Sequence, residues 1–330
     1  MIIYLEKRVL DHPRCQNLLK KLQPESIIEC DRYQEVFNRK GQDFRLQKKK
    51  PSMILAKKDQ GFVHPIPKEL TIGFDENYYF SPFLNCPFDC QYCYLQGAFR
   101  SANYVLFVNY EDYLSEIEKK IDMARGSVCF FSGYDADSLA LEPKSRLMES
   151  VLPFFEGKKA FLEIRTKSIF IRPLLERRAM DNVIVAFSLN PQMIIESIEK
   201  KTPGLDKRLE AIKKLKEQGW KIGLRFDPVI YCKDFEDIYR EFFEKIFSVV
   251  EDKDLHSVTL GSFRLPKSYF QVMEKQKNRL LSMIDEKNGI YEMPDHIKDR
   301  LLGFCKEQIG QKVNKDKLYC YEKIGTSNRK

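Results

Sequence analysis

Cys86-Pro87-Phe88-Asp89-Cys90-Gln91-Tyr92-Cys93 is the stretch on which the reading of this chain turns. Its CxxxCxxC spacing sets three thiols on one short loop, just after residues 70–80, which read as a strand. Thiolates that close can bind three corners of a cubane iron–sulfur cluster and leave the fourth iron without a protein ligand. Closed electron-transfer clusters take four cysteines, and structural zinc takes paired CxxC motifs or added His. Here the nearest histidine, His64, lies outside the loop, and no second CxxC exists. An open-cornered cluster therefore stands ahead of zinc, and ahead of three thiols buried by chance.

The rest of the composition agrees with a soluble, intracellular chain. An apolar fraction of 43% with 12% aromatics is enough for a packed core in 330 residues. Nine cysteines, three of them crowded on one loop, do not read as a secreted disulfide framework. The N-terminus is charged by its sixth residue, unlike a signal peptide, and no run approaches a membrane span. A cytoplasmic protein with no membrane partner is expected. The net charge of +8 is uneven: Arg39, Lys40, Arg45, Lys48, Lys49, Lys50, Lys57 and Lys58 fall within twenty residues that hold one acid, Asp43. Such a run can track a phosphate backbone, or it can be a solvated basic face. Phe44 and Met53-Ile54-Leu55 within it argue for a folded segment.

Beyond the cysteine loop, helical and strand-like periods alternate. Helices are expected over 111–125, 147–155, 171–178, 205–218 and 235–250, and strands over 127–131, 160–165, 182–189, 221–226 and 257–262. Alternation of this kind means parallel sheet with right-handed crossovers. The expected fold is α/β, a partial (β/α)6 TIM-type barrel over 71–265. An N-terminal basic cap (1–70) precedes it and a mixed C-terminal helical tail (266–330) follows. Barrel chemistry gathers at the C-terminal ends of strands. Five successive ends are polar here: Ser132-Gly133-Tyr134-Asp135, Arg165-Thr166-Lys167, Ser188-Leu189-Asn190, Arg225-Phe226-Asp227-Pro228 and Gly261-Ser262-Phe263-Arg264.

The loop, with aromatic Tyr92 before its third cysteine, matches the radical S-adenosylmethionine (SAM) pattern. Its continuation Tyr92-Cys93-Tyr94-Leu95-Gln96 resembles that of the spore photoproduct lyase family, which reverses a thymine photoproduct in DNA. Val108-Asn109, Thr166-Lys167, Ser188-Leu189-Asn190 and Leu205-Asp206-Lys207-Arg208 follow in the family's order, along most of residues 1–265. The resemblance implies a 4Fe–4S cluster on Cys86, Cys90 and Cys93, and SAM contacts from Lys167, Ser188 and Asn190, with Tyr92 near the adenine. It implies damaged DNA as partner, and an electron donor such as flavodoxin or ferredoxin. An electron entering the cluster would cleave SAM to a 5′-deoxyadenosyl radical, which takes a hydrogen from the lesion and so opens the bond joining the thymines.

The likeness breaks in three places. Where the family has a hydrogen-donor cysteine, Tyr134 stands; Cys129 and Cys232 are the nearby thiols, and Tyr134 or Tyr94 could relay the hydrogen instead. Ala136 replaces a serine expected beside SAM, leaving Ser132 or Asp135 to make that contact. The tail beyond 265 lacks an obvious basic hairpin. Three functions follow: a DNA-repair lyase, a radical SAM enzyme for RNA, peptide or a metabolite, and a non-catalytic cluster protein that binds nucleic acid.

Overall fold

The computed structural model describes residues 1–275 and 284–321, so 276–283 and 322–330 of the expected 266–330 tail lie outside the described residues. The N-terminal part runs β1 (Ile2–Glu6), α1 (Pro13–Leu22), β2 (Ser26–Cys30), α2 (Phe44–Lys49), β3 (Met53–Ala56) and β4 (Val63–Pro65). Around the cysteines come β5 (Glu76–Phe80), β6 (Phe83–Leu84), β7 (Asp89–Cys90), α3 (Leu95–Ala98), β8 (Tyr104–Phe107) and α4 (Tyr110–Met123). The alternating region holds β9 (Val128–Ser132), α5 (Glu142–Ser145), α6 (Met148–Phe155), β10 (Phe161–Thr166), α7 (Arg172–Leu175) and β11 (Val183–Ser188). It continues with α8 (Gln192–Ile198), β12 (Glu199–Lys200), α9 (Leu205–Glu217), β13 (Lys221–Val229), α10 (Phe235–Phe247) and β14 (Leu255–Ser262). Last come β15 (Arg264–Pro266), α11 (Lys267–Lys275), β16 (Asp285–Lys287), β17 (Ile290–Glu292), α12 (Asp295–Gly310) and β18 (Leu318–Tyr321).

The main sheet has the order β18-β14-β13-β11-β10-β9-β5-β4. Six successive strands, β5, β9, β10, β11, β13 and β14, pair in parallel, which is the expected (β/α)6 half-barrel. β9 and β11 are buried along their whole length, as strands covered on both faces must be. The helices that pack on the sheet are amphipathic for the same reason. On α10, Phe235, Tyr239, Phe242, Phe243 and Ile246 form one buried stripe at helical spacing. Burying each such ring contributes about 1.5–3 kcal/mol. Parallel β18 extends the sheet beyond β14, and the Tyr321 hydroxyl donates to the Leu70 carbonyl at 3.2 Å, tying that edge to the segment before β5.

The structure corrects several sequence expectations. The strand before the cysteines starts at Glu76, because 68–70 is a turn of 3-10 helix. The helix expected over 171–178 is the single turn α7. Residues 1–70 supply β2, β1 and β3 to a second sheet, β2-β1-β3-β8-β6, whose β6 and β8 come from beyond residue 70. Past 265 a small sheet, β15-β17-β16, includes a hairpin turning at Asn288-Gly289, both with positive φ. Its strands carry Asp285, Glu286 and Glu292 beside Lys287, so it is mixed in charge. Among the described residues no helix is long and apolar enough to cross a membrane.

Candidate active site

Parallel register brings the polar strand ends level. Ser132 pairs with Ile164, Thr166 with Phe187, and Ser188 with Arg225. Above them the cysteine loop folds over the rim. Asn85 turns the chain with φ 73°, a conformation asparagine tolerates, and its side chain donates to the carbonyls of Ser101 (2.7 Å) and Asn103 (3.1 Å) while accepting from the Cys86 amide (2.9 Å). β7 then pairs antiparallel with β12, setting Cys90 opposite Glu199. Cys86, Cys90 and Cys93 all line one cavity of about 150 Å³ that opens to solvent. Tyr92, Tyr94, Tyr134, Asp137, Arg165, Lys167 and Ser188 line it too.

Burial pushes the Cys86 thiol up to about 12, and the thiols of Cys90 and Cys93 upward as well. Ligation would have to displace those protons, as thiolate binding to metal does. Among the described residues no three His, Cys, Asp or Glu side chains converge on one ion-sized point. The three thiols share a cavity instead, and this donor set fits a cluster with one iron per cysteine.

Lys167 lies across the cavity, its ammonium 5.6 Å from the centre of the Tyr92 ring. Behind both is a buried polar network that the sequence reading missed. Tyr92 donates its hydroxyl hydrogen to Glu199 Oε1, Asn190 Nδ2 donates to the same oxygen at 2.9 Å, and Arg208 donates to Oε2 at 2.6 Å. Arg208 also donates to the Ser188 carbonyl at 2.9 Å. Burial would lift the Glu199 carboxyl, but Arg208 and then Lys167 outweigh it and hold it below its usual range. Lys167 is the converse: burial would lower it, while Glu199 and Cys90 carry it above its ordinary value. Asp137 fixes the β10 end, accepting from Thr166 Oγ1 (2.7 Å) and from the amides of Lys167 (2.6 Å), Leu139 (3.0 Å) and Ala140 (2.9 Å).

Of the expected SAM contacts, Tyr92, Lys167 and Ser188 line the cavity; Asn190 is not in its wall, and its Nδ2 donates to Glu199 while its buried Oδ1 has no partner among the described residues. Tyr94 and Tyr134 are in the wall, and the Tyr94 hydroxyl donates to the Tyr134 carbonyl at 2.5 Å. Cys129 points instead into an apolar cluster with Ile72, Phe131 and Ile184, and Cys232 packs against the main core; neither lines the cavity. Ser132 shares a hydrogen bond with Ser138 and donates to the Glu163 carbonyl, and neither it nor Asp135 lines the cavity.

The basic run divides. Arg39, Lys40, Lys49, Lys50 and Lys57 are exposed. Lys48 is buried, donating to the carbonyls of Cys86 (2.7 Å) and Phe88 (2.9 Å), which removes it from any phosphate-tracking face. The Lys58 ammonium lies over the rings of Phe107 and Tyr113.

A family profile described as spore photoproduct lyase matches residues 1–296. The spore photoproduct lyase of Bacillus subtilis (strain 168) is 26% identical over 303 residues, covering 88% of this chain and 86% of that one. The enzyme of Clostridium acetobutylicum is 25% identical over 291 residues, with coverage of 86% and 84%. A solved structure of a mutant spore photoproduct lyase with bound AdoMet and dinucleoside spore photoproduct superposes with TM-score 0.79, at 20% identity and 98% coverage of both chains. The half-barrel, the cysteine loop at its rim and a profile match through nine-tenths of the sequence lead to one conclusion: the chain belongs to the spore photoproduct lyase family.

Proposed function

We propose that this chain is a radical SAM lyase that repairs a thymine photoproduct in DNA, with Cys86, Cys90 and Cys93 holding a 4Fe–4S cluster. The observation that carries the reading is the convergence of those three thiols, Lys167 and Ser188 on one cavity at the C-terminal rim of the half-barrel. When bound, the cluster and SAM supply one-electron cleavage of a sulfonium bond, the chemistry that yields a 5′-deoxyadenosyl radical.

The chain's own groups position and shield. Lys167, which makes no ion pair within 4 Å among the described residues, offers its ammonium to the carboxylate of SAM. Ser188 offers a hydroxyl, and the Glu199–Arg208 pair fixes the Tyr92 ring beside the methionine and adenine space. Tyr134, in the wall and stacked on Tyr79 with centroids 4.2 Å apart, is the hydrogen donor to the product radical, with Tyr94 beside it. The exposed part of the basic run, Arg39, Lys40, Lys49, Lys50 and Lys57, serves the DNA backbone. A lesion within a duplex must be turned out to reach this cavity, at a cost of roughly a few kcal/mol.

A second reading, a radical SAM enzyme for a different substrate, draws on one observation: among the described residues no cysteine other than the three on the loop lines the cavity. The test is anaerobic. The reconstituted protein is given dithionite and SAM, and 5′-deoxyadenosine is followed with and without ultraviolet-damaged DNA. Damage-dependent turnover with thymine restored supports repair. SAM cleavage indifferent to damaged DNA transfers support to the second reading, and an intact cluster that never cleaves SAM removes both.

A further inference from the structure

We infer that Lys48 is the positioning residue of the cysteine loop, and that its buried ammonium makes a cluster held there easier to reduce. The inference rests on the reading of Cys86, Cys90 and Cys93 as cluster ligands. Lys48 is on α2, outside the half-barrel, yet it is 4% exposed and lines the same cavity as the three thiols. Its ammonium donates to the Cys86 carbonyl at 2.7 Å and to the Phe88 carbonyl at 2.9 Å, so it fastens the first half of the loop.

The rest of α2 fastens the second half. Arg45 donates to Asp89 Oδ1 (3.2 Å) and to Gln96 Oε1 (2.6 Å), and Gln96 in turn donates to the Cys90 carbonyl (2.6 Å). Gln47 accepts from the Ala102 amide at 2.9 Å. Asp43 caps the helix through the Leu46 amide, also at 2.9 Å. One short helix thus holds the loop at Cys86, Phe88, Asp89 and, through Gln96, Cys90.

Charge makes the second half of the inference. Removing an ammonium from water costs several kcal/mol unless an anion meets it. The other deeply buried cations meet one: Arg208 has Glu199 at 2.6 Å, and Arg225 has Glu163 at 2.7 Å. Among the described residues Lys48 has no carboxylate within 4 Å, only two neutral carbonyls. The one carboxylate that bears on it, Asp89, is already held by Arg45. The anion that completes this balance is the cluster itself. A 4Fe–4S core of charge 2+ with three thiolates carries one negative charge, and one-electron reduction makes it two. A fixed cation nearby favours the more negative state, and the effect is strong where water is excluded.

The test is an anaerobic redox titration of the reconstituted full chain without SAM, followed by electron paramagnetic resonance, together with its iron content. Lys48→Met is expected to lower the reduced-to-oxidised ratio at a fixed potential at least about tenfold, a midpoint shift of 59 mV for one electron. Lys48→Arg, which keeps the charge, is expected to return most of that shift. A Lys48→Met protein with wild-type iron content and midpoint overturns the inference. If Lys48→Met does not fold, Lys48→Gln keeps a donor without the charge, and an unchanged midpoint in that variant overturns it equally. Wild-type chain that takes up no cluster overturns the cysteine assignment instead, and does so before any variant is compared.

Discussion

Tyr134 occupies the cavity wall at the place where the family resemblance leads one to look for a cysteine. It stacks on Tyr79, tilts against Tyr94 at 6.1 Å, and its carbonyl holds the Tyr94 hydroxyl. Phenylalanine keeps the ring and its stacking but removes the O–H. Tyr134→Phe is therefore expected to leave SAM cleavage intact while repaired thymine falls about tenfold, or about 1.4 kcal/mol of barrier. Parallel quantitation of 5′-deoxyadenosine and thymine product checks this; equal yields from both proteins would take Tyr134 out of the hydrogen path. The site was unevenly legible at this scale. Cysteine spacing is a short-range signal, and Lys167 and Ser188 sit at strand ends that alternation locates. Glu199 carried no such signal. It follows a helix in an unremarkable Ile-Glu-Lys-Lys run, and only the pairing of β12 with the cysteine loop sets it under Tyr92. Asn190 stands at the strand end that alternation locates, and the donation of its amide nitrogen to Glu199 was not foreseen.

At the scale of elements, the periodic helices and buried strands of the half-barrel could be placed within a few residues, because each must bury one face. The N-terminal sheet was not visible. Its strands are two to five residues apiece, and β6 and β8 join it from either side of the cysteine loop. The packing of α11 on α3 was equally hidden. Gly97 on α3 sits so close to α11 that a Cβ there would be 2.4 Å from the Tyr269 carbonyl oxygen and 2.7 Å from its Cα. In an open helix, Gly→Ala gains about 1 kcal/mol. Here the clash is with backbone, which cannot swing aside, so Gly97→Ala is expected to cost about 1–3 kcal/mol and to lift α11 from the cysteine loop. Chemical denaturation measures the first effect. Limited proteolysis within 264–275 measures the second, and a variant as stable and as resistant as wild type would show that this contact does not hold α11 down.

For the whole molecule, the half-barrel is filled by polar as well as apolar groups, an outcome that hydropathy patterns do not convey. Glu163 on β10 and Arg225 on β13 meet inside it at 2.7 Å, Arg165 donates to Glu163 at 2.8 Å, and Arg225 also donates to the Ser257 hydroxyl and carbonyl, each at 2.9 Å. Three strands, β10, β13 and β14, are thereby cross-linked through their side chains. Burial alone would lift the Glu163 carboxyl; Arg225 and Arg165 outweigh it and hold it at about 2, against an ordinary 4.5. The sign of the linkage follows. Between these values the unfolded chain binds a proton at this site and the folded chain does not, so stability rises with pH at about 1.4 kcal/mol per unit. The contribution is complete above about pH 4.5 and is lost as pH falls through about 2. Glu163→Gln removes that dependence and leaves Arg225 without its anion. Its stability is expected to be lower at neutral pH, by about 3–5 kcal/mol, with a flatter acid limb. Urea unfolding of the metal-free chain at a series of pH values between 3 and 7 reads both, and an acid limb as steep in the variant as in the wild type would mean that the barrel interior does not set the acid stability of this fold.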